Sequence, residues 1–137
     1  MSRTALFLLL LSSVVYLSAQ ELVAHDKIAE KGYQFWLFTP PSITGTPDTK
    51  RQSKPLIVFL HGASLCGQHL SQVLNYGPLD AVRRGREIDA YIVAPQNPGG
   101  SWAPSKIMDV VEWVEKHHNT IDSNRIYVIG MSLGGYG

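Results

Sequence analysis

Short apolar runs alternate with amphipathic segments along most of this chain. Four runs have the β-branched and aromatic composition of strands, and they span residues 33–39, 56–60, 90–94 and 126–129. Residues 64–86 predict a helix in one or two pieces, and residues 106–118 predict an amphipathic helix. Such alternation favours an α/β fold, with a mostly parallel sheet, right-handed crossovers and helices on both faces.

The boundaries of these elements follow from turn and cap residues. The helical region 64–86 is interrupted at Gly77-Pro78, and Ser105 is placed to cap the helix that follows it. The apolar stripe of the second helix comprises Ile107, Val110, Val111, Val114 and His118. Residues 40–54 and 96–104 predict loops, and residues 119–124 predict a turn.

The last predicted strand runs directly into a Gly-x-Ser-x-Gly pattern. Ser132 lies between Gly130 and Gly134, and Gly135 follows. In a nucleophile elbow the chain leaves a strand, turns sharply and enters a helix, so that the serine takes a strained conformation and exposes its hydroxyl. The flanking glycines would let strand and helix approach closely, with Gly135 relieving crowding further. The alternative is a glycine-rich turn without chemistry.

A second element lies upstream of this motif. The apolar run 56–60 reads as a buried strand and ends in His61-Gly62. In a parallel sheet, ligands bind beyond the carboxyl ends of the strands. Residues 62–64, residues 96–102 and Ser132 all follow predicted strands, so we expect them to meet at one edge of the sheet.

Together these stretches resemble the α/β-hydrolase superfamily. The strongest pieces are residues 59–63, 93–96 and 130–135, and the resemblance extends from residue 33 to residue 137. It is greatest to secreted serine esterases of the phospholipase/carboxylesterase, feruloyl-esterase and prolyl-oligopeptidase-like branch. The resemblance implies an α/β-hydrolase fold of which this chain is the N-terminal half, truncated after the elbow.

The resemblance also assigns roles to individual residues. Ser132 would be the nucleophile, and the backbone N–H of Leu133 would be one oxyanion donor. The second donor would come from Ala63, with Ser64 as the alternative. In this superfamily the triad order is Ser, Asp/Glu, His, so the acid and the histidine are expected after Ser132, beyond residue 137.

The histidines present in the chain are poor candidates for the catalytic base. The resemblance makes His61 a loop-organising residue, and the other four are His25, His69, His117 and His118. The pair at 117–118 lies at the far end of its helix from the elbow edge. Adjacent helical residues also point apart, which argues against a metal site there. No cofactor or metal is expected.

Gln96 and Trp102 are candidate substrate contacts. They lie in the loop after the 90–94 strand, which borders the active site in related esterases, and Trp102 beside Gly99-Gly100-Ser101 can stack on a sugar or an aromatic acid. The structural alternative, in which Trp102 only packs its loop, is equally consistent with the sequence. Cys66 is the sole cysteine, so it predicts no internal disulfide and no activated thiolate.

Composition and the N-terminus bear on location and partners. Hydrophobic residues make up 45% of the 137-residue chain and charged residues 17%, which indicates one globular domain or less. A net charge of +1 does not indicate the excess of positive charge that is typical of nucleic-acid-binding proteins. Residues 1–19 predict a secretory signal peptide, leaving residues 20–137 as hydrolase domain, secreted or periplasmic and without a membrane anchor after cleavage.

The predicted function is therefore that of a secreted serine hydrolase. The expected reaction is cleavage of a carboxylic ester through an acyl-enzyme, with a small-molecule or polysaccharide-linked ester as substrate. A prolyl-oligopeptidase-like peptidase is the enzymatic alternative, because the same elbow serves both. The non-enzymatic alternative is an inert fragment, or a binding domain that kept the hydrolase scaffold.

Overall fold

The structure is a computed structural model that describes residues 16–18, 20–44 and 53–136. Its strands, in chain order, are β1 Tyr16–Ser18, β2 Glu21–His25, β3 Phe35–Thr39, β4 Ser42–Thr44, β5 Lys54–Leu60, β6 Tyr91–Pro95 and β7 Ile121–Gly130. Its α-helices are α1 Pro78–Arg83 and α2 Pro104–His117, and its 3₁₀ helices are Ala63–Leu65, Leu70–Leu74 and Ser132–Tyr136. Most of the predicted signal peptide lies outside the described residues, so that prediction remains open.

Five strands form one mixed sheet in the order β2-β3-β6-β5-β7. Strand β5 is parallel to both of its neighbours, β6 and β7, while β3 is antiparallel to β2 and to β6. The predicted mostly parallel sheet is therefore confirmed for residues 56–60, 90–94 and 126–129, and the last of these strands lies beside the first. Strands β1 and β4 form a separate antiparallel pair.

Helices cover both faces of this sheet because side chains alternate along its central strands. Leu56 and Val58 of β5 belong to the cluster that buries the apolar stripe of α2, including Val110 and Val114. Phe59, the next residue after Val58, belongs to the opposite cluster, which buries α1 and the Leu70–Leu74 helix. This is the pleat of a two-faced sheet, in which successive side chains point to opposite sides.

The start of α2 differs from the prediction. The helix begins at Pro104, its N-cap is Ala103, and no side chain caps it. The predicted cap at Ser105 is wrong, because proline suits the first helical turn: it has no N–H to satisfy and its φ is already helical. The predicted buried stripe is confirmed at its four aliphatic positions.

Strand β7 begins within the region predicted to be a turn. Lys54 of β5 pairs with Ile121, whereas Leu56 pairs with Ile126, so residues 122–125 bulge out of the ladder. Asp122 holds this bulge by accepting hydrogen bonds from the Asn124 N–H and the Arg125 guanidinium. The bond to Arg125 is the main cause of a lowered pKa for the Asp122 carboxyl.

Beyond the bulge, β7 is an edge strand among the described residues. Tyr127, Val128 and Ile129 are 53%, 63% and 47% exposed, although their composition predicted burial on both faces. An apolar strand with one unpaired side can associate with other strands. In the described part of the chain, no helix is both long and apolar enough to cross a membrane.

Candidate active site

Ser132 occupies a sharp turn between a strand and a helix. Strand β7 ends at Gly130, and a 3₁₀ helix, Ser132–Tyr136, starts at the serine. Ser132 has φ of 52°, and no other non-glycine residue of the described chain has a positive φ. A serine in this region is strained, and such strain recurs at functional sites. The backbone therefore has the predicted elbow geometry.

Two glycines allow the elbow to fold this tightly. A β-carbon built on Gly134 would lie 1.9 Å from the Leu60 carbonyl oxygen, and one built on Gly130 would lie 2.1 Å from the Gly134 oxygen. Both contacts involve backbone atoms, so no side chain can be accommodated at either position. At Gly135 the nearest atom would be 3.7 Å away, an ordinary contact. The third glycine is thus not required by packing, contrary to the prediction.

The His61-Gly62 turn lies directly against the elbow. The Met131 N–H donates a hydrogen bond to the Leu60 carbonyl over 3.0 Å, which joins the end of β5 to the residue before the serine. A β-carbon built on Gly62 would lie 3.4 Å from the Ser132 Cβ and 3.3 Å from the Met131 oxygen. The two turns that the sequence predicted at one edge of the sheet are therefore in contact.

The backbone N–H groups around this contact fall into two sets. Those of Gly62 and Leu65 are occupied, by the Tyr76 hydroxyl and the Gly62 carbonyl respectively. Among the described residues, the N–H groups of Ala63, Ser64 and Leu133 have no hydrogen-bond acceptor. These are the three groups that the sequence proposed as oxyanion donors, and their role remains a prediction.

His61 organises the turn through both ring nitrogens. Its Nε2 accepts a hydrogen bond from the Asn97 N–H over 3.0 Å, so the proton lies on Nδ1, which donates to the Gly62 carbonyl over 2.8 Å. Burial lowers the pKa of His61, and the bond to Gly62 opposes this effect only in part. A fully buried, neutral imidazole with both nitrogens engaged cannot accept the serine proton. The structure agrees with the loop-organising role.

Gln96 faces the interior of the protein. Its side chain is 1% exposed, its Nε2 donates to the carbonyls of Leu65 and His69, and its Oε1 accepts from Gln34 over 2.6 Å. This arrangement favours a structural role, bracing the loops at the carboxyl edge, over the predicted substrate contact.

Trp102 also packs inward. It is 5% exposed, its ring meets those of Tyr33 and His61 edge to face, and its Nε1 donates to the His61 carbonyl over 3.3 Å. The structure therefore favours the alternative in which Trp102 holds its loop against the His61-Gly62 turn. Its effect on the site would pass through His61 and not through contact with substrate.

Three of the remaining histidines contact aromatic rings. His25 stacks on Phe35 at 4.9 Å, His117 stacks on Trp113 at 4.0 Å, and His118 faces Tyr91. Within residues 16–18, 20–44 and 53–136, no histidine or carboxylate hydrogen-bonds to Ser132, and no group of three or more ligating side chains could hold a metal.

Sequence reasoning missed Tyr76. Its hydroxyl accepts the Gly62 N–H over 2.8 Å, and the two residues are 14 positions apart. Tyr76 precedes Gly77, just after the Leu70–Leu74 3₁₀ helix, and belongs to no apolar period or motif. No signal in the sequence could have connected it with the His61-Gly62 turn.

Comparison with known proteins agrees with this architecture. A thermostable esterase matches at 27% identity and a TM-score of 0.55, over 85% of this chain and 36% of its own. An acylaminoacyl peptidase in complex with Z-Gly-Gly-Phe-chloromethyl ketone matches at 18% identity and a TM-score of 0.50, over 85% of this chain and 20% of its own. The acylaminoacyl peptidase of Pyrococcus horikoshii matches at 19% identity and a TM-score of 0.51, over 86% of this chain and 20% of its own.

The chain thus spans about a third of the esterase and a fifth of each peptidase. No protein-family model and no curated protein matches it. The peptidase likenesses are evidence for the fold alone, whereas the esterase adds closer sequence similarity. With its parallel sheet centre and its strained serine elbow packed against a His-Gly turn, this chain has the α/β-hydrolase fold, of which it spans a part.

Proposed function

We propose that the protein is a secreted serine hydrolase that cleaves carboxylic esters through an acyl-enzyme. The observation that carries the proposal is the conformation of Ser132, which is strained, exposed and held against a turn with free N–H groups. Strain of this kind costs on the order of 1–3 kcal/mol and persists only where the surroundings enforce it. A turn without chemistry would have no need of it.

The proposed reaction proceeds in two steps. The Ser132 Oγ attacks the ester carbonyl while its proton passes to a base, and the tetrahedral oxyanion accepts hydrogen bonds from Leu133 and from Ala63 or Ser64. Collapse breaks the bond to the alcohol, which leaves with the proton from the base. Water then repeats the sequence on the acyl-enzyme, releasing the acid and free serine.

The base is the missing part of this machinery. A serine hydroxyl is a weak nucleophile without one, and no described histidine is in reach of Ser132 by hydrogen bond. The proposal therefore requires an acid and a histidine from segments of the full-length protein that follow residue 137, in the order usual for the superfamily.

An ester is the favoured substrate over a peptide bond. The esterase is the neighbour with the higher identity, and the peptidase neighbours carry no argument beyond the fold. The substrate class remains a small-molecule or polysaccharide-linked ester. Export rests on the apolar leader at residues 1–19 alone.

The test is hydrolysis of p-nitrophenyl acetate by the full-length protein, with Ser132→Ala compared against Ser105→Ala. Ser105 is exposed in the first turn of α2 and is a matched serine outside the elbow. Loss of the nucleophile should lower kcat at least about a thousand-fold, and the control should leave it unchanged. A fluorophosphonate probe should label the wild type and the control but not Ser132→Ala.

Three outcomes would contradict the proposal. Activity that survives in Ser132→Ala would assign catalysis to another residue. A folded wild-type protein that neither hydrolyses esters nor reacts with the probe would support a binding domain on the hydrolase scaffold. Faster cleavage of a p-nitroanilide than of the matching ester would favour the peptidase alternative.

A further inference from the structure

The Tyr76 hydroxyl is a side-chain polar group that contacts the His61-Gly62 turn. It accepts the Gly62 N–H over 2.8 Å, and its half-buried ring packs edge to face on Phe59 with the ring centres 6.1 Å apart. Phe59 belongs to the buried cluster beneath α1. The Tyr76 ring is therefore anchored on the core while its polar end reaches the carboxyl edge of the sheet.

This hydroxyl and the nucleophile both border the small gap that a side chain at position 62 would fill. A β-carbon built on Gly62 would be 3.1 Å from the Tyr76 oxygen and 3.4 Å from the Ser132 Cβ. Gly62 itself has an extended conformation, with φ of −80°, which any residue can adopt. Glycine therefore matters at this position because it leaves the space between the tyrosine and the serine open.

The hydrogen bonds of Tyr76 are incomplete. A phenol can accept and also donate, and here the oxygen accepts from Gly62. Its own proton has no acceptor within the described part of the chain. The next N–H along the chain, that of Ala63, is likewise unused and is a proposed oxyanion donor. The unused phenol proton and the unused N–H thus both belong to groups that adjoin Gly62, the residue in contact with Ser132.

We propose that Tyr76 is a third oxyanion donor, whose O–H hydrogen-bonds the carbonyl oxygen of the bound ester as that oxygen becomes negative. This inference rests on the proposed function. The bond from Gly62 orients the phenol, and the charge that develops on the substrate strengthens the bond that Tyr76 donates. A donor fixed before the reaction is the arrangement that stabilises a transition state most effectively.

Tyr33 provides a matched control within the same chain. Its hydroxyl accepts the Ala103 N–H over 2.9 Å, and its ring also packs edge to face, on Trp102. The two tyrosines make the same kind of bond to backbone, but Tyr33 makes it at the start of α2. Tyr33→Phe therefore removes an equivalent structural bond without touching the gap beside Ser132.

The first experiment compares Tyr76→Phe, Tyr33→Phe and Ser132→Ala in the full-length protein. Tyr76→Phe should lower kcat for p-nitrophenyl acetate on the order of 100-fold and weaken a boronic acid inhibitor by a similar factor, with KM changed less than about threefold. Tyr33→Phe should keep kcat. Equal kcat in the two phenylalanine variants would overturn the inference. A wild type with no Ser132-dependent hydrolysis would instead overturn the proposed function beneath it.

The second experiment separates donation from simple bracing and does not depend on the fold of Tyr76→Phe. Incorporation of 3,5-difluorotyrosine at position 76 keeps the ring but lets the phenol ionise near neutral pH. A phenolate still accepts the Gly62 N–H, but it has no proton to donate. We expect kcat of this protein to fall between pH 6 and pH 9 relative to wild type. An unchanged pH profile would assign Tyr76 a purely structural role.

Discussion

Replacing Gly134 with alanine should force the elbow away from the strand beside it. The new β-carbon would lie 1.9 Å from the Leu60 oxygen and 2.5 Å from the Leu60 carbonyl carbon. A carbon and a carbonyl oxygen ordinarily approach to about 3.3 Å at closest, so one backbone must move by more than about 1 Å. Neither can yield easily, because β5 is paired on both sides and Gly134 is buried.

The size of the effect follows from what the shift disrupts. The Leu60 oxygen accepts the Met131 N–H, and the Gly134 N–H donates to the Met131 carbonyl over 2.9 Å. Overpacking in a tight interior costs about 1–3 kcal/mol, and each weakened backbone bond adds about 1 kcal/mol. We therefore expect a loss of at least about 3 kcal/mol in the free energy of unfolding.

The measurement is a urea titration of the full-length protein, followed by tryptophan fluorescence, with Gly135→Ala as the control. A loss of that size corresponds to a fall of about 1–3 M in the urea midpoint. At Gly135 the added carbon makes only an ordinary contact at 3.7 Å, so its effect should stay within about 0.5 kcal/mol. Ester hydrolysis should fall in Gly134→Ala and persist in Gly135→Ala.

A single comparison tests the close approach of the elbow to β5. If Gly134→Ala had the same urea midpoint and the same kcat as Gly135→Ala, the elbow and β5 would not approach as closely as described. The contact between the serine and the His61-Gly62 turn would then lose its basis as well, because both depend on the same close approach.

Two further outcomes concern the histidines and the edge strand. Burial lowers the pKa of His25, His61 and His118 below the ordinary 6.5. The stability that these neutral histidines allow above pH 6.5 should therefore be lost as the pH falls toward their folded-state pKa values. A urea midpoint that increased when the pH was lowered from 7 to 5 would contradict this. Residues 20–137 expressed alone should be poorly soluble or molten, because residues 127–129 expose an unpaired apolar edge, and should show no p-nitrophenyl acetate turnover above the serine-to-alanine control. A longer protein that includes a downstream histidine should regain both solubility and turnover. If residues 20–137 alone were monomeric, melted cooperatively and showed serine-dependent activity, one of the five histidines present would have to be the base.

The sequence by itself determined the central strands, the main helix and the elbow. The short apolar runs and the apolar stripe of α2 are local patterns, and their alternation along the chain predicted the parallel arrangement that β5, β6 and β7 have. The spacing of Gly130, Ser132 and Gly134 likewise specifies a tight turn, because steric limits on backbone approach operate over a few residues. The carboxyl ends of parallel strands share one edge, and this rule together with the family resemblance predicted that the elbow and the His61-Gly62 turn would meet there.

Tertiary structure alone decided which polar residues face the site. Gln96 and Trp102 lie in the loop that the sequence identified, but both side chains point into the protein. Gln96 accepts a hydrogen bond from Gln34, and Trp102 donates one to the His61 carbonyl. Tyr76 reaches Gly62 across 14 residues because Phe59 supports its ring. The direction of a loop side chain depends on partners that are distant in sequence, and no local period encodes those partners. The sequence therefore specified which backbone segments meet at the candidate site, while tertiary packing determined which side chains face that site.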